Sequence, residues 1–93
     1  MMKLHLVLRN KWYDMIVSGE KEEEYRALTK YWIDRIWKLR DIITSVVFHR
    51  GYTNITHERE CIHIGTGIGR KEWGAPEKEV IIIKLGKEIN ENN

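Results

Sequence analysis

The chain has 93 residues, which makes one domain, residues 1–93, with a thin core. Sixteen Lys and Arg against fourteen Asp and Glu leave a formal charge of +2, too even for a scaffold that coats long nucleic acid. A single cysteine excludes an internal disulfide and fits a cytoplasmic protein, and no apolar run nears the roughly 20 residues of a membrane span.

Lys3–Arg9 alternates, with Leu4, Leu6 and Leu8 on one side, and predicts a half-buried strand. Asn10 is placed to cap a helix that runs to Ser18 and stops at Gly19. Trp12, Met15 and Ile16 fall at helical spacing and are expected to face inward. Glu20–Arg26 follows as a strand too polar for a core, with four Glu in five residues that repel one another unless cations intervene. Thr29 caps a second helix over Lys30–Lys38, with Trp32, Ile33, Ile36 and Trp37 as its apolar stripe. Strands are then expected at Ser45–Arg50, at Glu60–Ile68 and at Val80–Leu85. Ile62, Ile64 and Ile68 form the apolar face of the second of these, and the third is the central one. Gly69–Pro76 reads as a loop and residues 87–93 as a frayed polar tail. The order β-α-β-α-β-β-β lacks the regular alternation of a doubly wound sheet. It points instead to an α+β fold, a small partly closed β-barrel with two flanking helices.

Gly65, Gly67 and Gly69 have the spacing G-x-G-x-G with no long helix after them, so they read as strand glycines and not as a phosphate loop. His49, His57, Cys61 and His63 match no paired metal-ligand spacing, and neither a metal nor another cofactor is expected. Cations and rings recur side by side: Lys11 with Trp12, Tyr25 with Arg26, Arg50 near Tyr52, and Arg70 and Lys71 near Trp73. Rings stack on bases and cations hold phosphates, so this interleaving suits a nucleotide or single-stranded RNA. Trp12 reads as core. Trp73, between Glu72 and Gly74 in a polar loop, is expected to cover a ligand or the barrel mouth. Lys21, Glu24 and Arg26 form a candidate set in which a lysine beside carboxylates steadies an anion or moves a proton. Surface ion pairs are the plainer account of the same residues.

The run Lys11–Lys21 (KWYDMIVSGEK) with Glu24-Tyr25-Arg26 resembles the signature of ASCH domains, which are small PUA-like β-barrels. Phe48–Tyr52, Ile64–Gly67, Glu72–Pro76 and Val80–Gly86 resemble the compact members found in phages and bacteria, so the likeness spans about residues 3–86. It implies a domain that binds RNA or a modified nucleotide in a cleft beside this block. One branch of the family removes the acetyl group from acetylated cytidine, using a Lys, a Thr three residues on, an Arg two beyond that, and a more distant Glu. Lys21 and Arg26 match that pattern, Glu24 stands where the Thr nucleophile would be, and Glu72 is the candidate for the distant Glu.

Three functions are carried forward. In the first, Arg26, Arg50, Tyr52, Glu72 and Trp73 bind RNA or a nucleotide together with Lys21. In the second, Lys21 and Glu24 are the catalytic pair of a hydrolase acting on a nucleoside amide or an RNA phosphodiester. In the third, the aromatic surface meets another protein. The decisive expectation is that Lys21, Glu24 and Arg26 line one cleft, with Arg50 nearby and Trp73 at its rim. Simple alternation puts Lys21 and Glu24 on opposite faces of a strand. Their convergence therefore requires a bulge, or a Lys21 set at the helix end by Gly19.

Overall fold

A computed structural model describes residues 1–90. Its order is β1 (Met2–Leu8), α1 (Asn10–Val17), β2 (Glu23–Arg26), α2 (Lys30–Arg35), β3 (Ile43–Arg50), β4 (Thr56–Ile68) and β5 (Glu79–Ile89). Short 3-10 turns cover Trp37–Leu39 and Lys71–Trp73. The element types and order agree with those expected. The five strands form one mixed sheet in the order β1-β3-β4-β5-β2. Only β1 and β3 run parallel. The fold is thus α+β, a curled half-barrel flanked by two helices.

Alternation in β1 buries Leu4, Leu6 and Leu8 against Val46 and Phe48 of β3, Ile64 of β4 and Ile81, Ile83 and Leu85 of β5. Tyr13 and Ile16 of α1 close one side of this core, and Ile36, just past α2, is fully buried in it. The first helix departs from expectation at its start. Arg9 occupies the capping position and no side chain caps the helix. Asn10 is already helical. Thr29 does cap α2, accepting from the Trp32 amide at 3.4 Å.

Two further expectations are corrected. Ile62 and Ile68 are 65% and 68% exposed, so the proposed apolar face of β4 contributes only Ile64. The pairing of β4 with β5 slips on either side of Cys61, which pairs with Leu85 while His63 pairs with Lys84. The extra residue at Ile62 reverses the in-out sense. Cys61 and Ile64, an odd number apart, then both pack on the core. The tail is also shorter than expected. Lys87–Ile89 continue β5, with Glu88 and Ile89 paired to Arg59 and Glu58. Residues 91–93 lie outside the described residues.

β1 and β2 are the two edges of the sheet. Curling brings them near each other, and Arg26 of β2 donates from Nη2 to the Val7 carbonyl of β1 at 3.2 Å. The barrel is incomplete along this seam.

Candidate functional site

A cavity of about 210 Å³ opens at the seam. Val7 to Arg9 line it from the end of β1, Trp12 from α1, Lys21 and Glu24–Arg26 from the β2 segment, and Trp73 and Gly74 from the loop before β5. Lys21, Glu24 and Arg26 therefore do converge.

The route is the second of the two foreseen. Gly19 adopts φ +86°, a left-handed conformation that ends α1. The chain folds back, and the Lys21 amide donates to the Met15 carbonyl at 2.9 Å. Since β2 begins only at Glu23, Lys21 is not bound by strand alternation. Within β2, Glu24 pairs with Ile83 and so faces the main core. Tyr25 pairs with Ile82 and faces the other side, where it joins Trp73, Ala75 and Val80 in a second small core.

Lys21 is 1% exposed, a charged side chain as buried as any leucine of the core. Its Nζ lies 3.2 Å from Glu24 Oε1 and donates to the Trp73 carbonyl at 2.5 Å. It also sits 4.8 Å from the centre of the Tyr25 ring and 5.4 Å from that of Trp12. Arg26 holds the other Glu24 oxygen, from Nε at 3.1 Å and Nη2 at 2.8 Å. Buried charges persist only when paired in this way. The cluster is thus a carboxylate bridging two cations, with two aromatic rings beside the ammonium.

Burial pushes the Lys21 ammonium below its ordinary range, against the opposing pull of Glu24. The unfolded chain therefore keeps this proton to higher pH than the folded one. Stability rises with pH wherever the unfolded state binds more protons. The expected result is a urea midpoint that climbs through the alkaline range towards about pH 10. Above that the trend reverses, because burial raises Tyr13 and Tyr25 and the unfolded chain loses its phenolic protons first. A series of denaturation curves against pH checks this: Lys21→Met should lose the climb, and a climb of equal size in that variant would assign it elsewhere.

The other candidate residues are placed differently. Arg50 forms a two-pronged pair with Asp14, both contacts 3.0 Å, and lines a separate hollow beside Tyr13 and His57. Glu72 is exposed, with Arg70 at 3.8 Å, and is not among the residues lining the cavity. Tyr52 is 98% exposed and borders an adjoining hollow. Trp73 lines the cavity, but its ring is buried against Tyr25, Ala75 and Val80. What it gives Lys21 is its backbone carbonyl. Trp12, which read as core, does pack half-buried against the main core, and it also lines the cavity wall. The adjacent Lys11, 4.7 Å over the Trp12 ring, was the visible signal. Arg9 was missed as a lining residue, and nothing in its spacing marks it; Tyr25, noted only as a ring beside Arg26, lines the cavity as well.

The four possible metal ligands scatter. His49 contacts His5 at 2.9 Å, His57 packs edge-on to Tyr13, and Cys61 lies against the core, where burial raises its thiol. Among the described residues no group of three or more His, Cys, Asp or Glu could hold a metal ion, and no helix is long and apolar enough to cross a membrane.

Comparison of the chain with protein-family models, with curated proteins and with solved structures found no match in any of the three.

Proposed function

We propose that the chain is an ASCH-type domain of PUA-like architecture that binds RNA or a modified nucleotide, with one base seated in the seam cavity. The observation that carries this reading is the buried Lys21, set between Glu24 and the Trp73 carbonyl at the cavity wall. Two of the three Lys21 N–H donors are spent on Glu24 and the Trp73 carbonyl, which leaves a third for a carbonyl oxygen on the edge of a nucleobase. Trp12 supplies a ring face for stacking. The volume, about 210 Å³, is below the roughly 300–1,000 Å³ of pockets for larger ligands and suits one ring system. A cytoplasmic setting accords with this reading.

The hydrolase alternative uses the same pair. Both Glu24 oxygens are already engaged by cations. A water placed for activation there would compete with Lys21 or Arg26, so binding is the better supported of the two.

The test is equilibrium binding of nucleosides, nucleotides and short single-stranded RNAs, followed by tryptophan fluorescence, for the wild type and Lys21→Met. Met keeps the volume of the buried chain and removes the charge. Losing a hydrogen bond from a charged group should weaken binding about tenfold or more. Unchanged affinity in Lys21→Met would leave the pair purely structural. Chromatography of the same mixtures decides the alternative, since a hydrolase would release product that Lys21→Met does not.

A further inference from the structure

We infer that the seam cavity is the first of two compartments, and that the ligand is a single strand of at least two nucleotides with its linking phosphate on Arg26. This rests on the reading of the cavity as a nucleotide site. A second hollow of about 560 Å³ adjoins the first, and the two share Arg9 and Arg26. Its remaining walls include Tyr31, Trp32 and Tyr52.

Charge separates here in a chain whose total is nearly neutral. The two compartments are lined by Arg9, Lys21 and Arg26 and by one carboxylate, Glu24, which two of those cations neutralise. The hollow on the outer face of the sheet sets two carboxylates, Glu58 and Glu88, against one lysine, Lys3, which pairs with Glu58. An anion is therefore favoured at the seam and not on the outer face.

Arg26 stands on the border of both compartments. Nε and Nη2 are held by Glu24, and Nη2 also by the Val7 carbonyl, so the guanidinium plane is fixed. Nη1 has no hydrogen-bond partner among the described residues. A fixed guanidinium with one free end is a preorganised contact for a phosphate oxygen.

The rings lie beyond this cation. The Arg26 guanidinium packs 4.8 Å from the centre of Trp32, and Tyr31 meets Trp32 edge-on at 4.7 Å. Tyr31 is 52% exposed and Tyr52, on the turn after β3, is 98% exposed. A tyrosine held almost wholly in water covers nothing in the free protein, and a second base stacked on it would cover it. The succession of base cavity, guanidinium and exposed rings follows the succession of nucleoside, phosphate and nucleoside in a strand. A lone nucleoside would leave the second compartment unused.

The experiment compares pooled dinucleoside monophosphates with pooled nucleosides at low salt, for the wild type, Tyr52→Ala and Arg9→Gln. Stacking of one further base predicts dinucleotides bound about tenfold or more tighter than nucleosides, and a ratio that falls about fivefold or more in Tyr52→Ala. The one phosphate on Arg26 should give dinucleotide binding a log–log salt slope of about −0.7 that nucleosides lack and that Arg9→Gln leaves in place; loss of the slope in Arg9→Gln would move the phosphate off Arg26. A wild-type ratio near one, or a ratio that Tyr52→Ala leaves unchanged, overturns the second compartment while the single-base reading stands. An acidic peptide that displaces the dinucleotides at equal concentration overturns the assignment to nucleic acid. Failure of both pools to bind overturns the cavity reading along with it.

Discussion

Lys21→Ala should cost about 3–5 kcal/mol of folding stability, the range for opening a large cavity or breaking a buried ion pair. Three losses coincide. The space of a 1%-exposed side chain is left empty, Glu24 keeps only Arg26, and the Trp73 carbonyl loses its donor. In a domain of this size each kcal/mol shifts the melting temperature by about 4–8 °C, so the variant should melt tens of degrees lower or fail to fold. Lys21→Met restores the volume and should recover the share of that loss due to the cavity, while Glu24 and the Trp73 carbonyl stay without the ammonium. Urea denaturation of both variants is the check. Ala and Met variants of equal stability would mean that the cavity is not what matters, and that the charge pair holds the segment by itself.

The second large effect concerns a glycine just after β4. A Cβ at Gly69 would lie 2.4 Å from Tyr25 Cε1 and 2.7 Å from the Ala75 Cβ, closer than any real contact. Tyr25 cannot easily retreat. Its hydroxyl donates to Glu23 at 2.8 Å and accepts from the Arg70 amide at 3.0 Å, while its ring packs on Trp73 and Val80. Gly69→Ala should therefore cost about 3 kcal/mol, the upper part of the usual range for overpacking. It should also weaken ligand binding, because the loop it displaces carries the carbonyl that holds Lys21. Thermal melts and the nucleotide titration together test this. A variant with normal melting and normal affinity would show that the loop has room to shift.

The parts of the fold that were legible in the sequence are those governed by local period. Leu4, Leu6 and Leu8 alternate because only one side of β1 meets the core. Gly19 was recognisable as a helix stop, and it supplied one of the two arrangements foreseen for bringing Lys21 to Glu24, the one the fold adopts. What was illegible depends on pairing between strands. The slip that turns Ile62 outward needs β5 beside it, and no feature of Glu60–Ile68 alone reveals that. The same holds for the site. A polar loop around Trp73 suggested an exposed ring, yet Gly69 lets the loop close on Tyr25 and bury it. Trp12 read as core and does pack on it, but helical spacing does not show that this residue of α1 also borders a gap in the sheet. Arg50 was a free cation on paper, and its partner, Asp14, is thirty-six residues away.

The gap between β1 and β2 also bears on how the domain holds together. β2 has four residues and a single neighbour, β5, so one of its sides has no sheet to rest on. Among the described residues, the bond from that side to β1 is made by the Arg26 side chain. A molecule seated there would touch both margins at once and act as a removable staple. Occupancy and melting are then coupled by mass action, and a ligand at a hundred times its dissociation constant adds about 2.7 kcal/mol. The protein's own unfolding temperature thereby becomes an assay for whatever it binds, usable before that molecule has been identified.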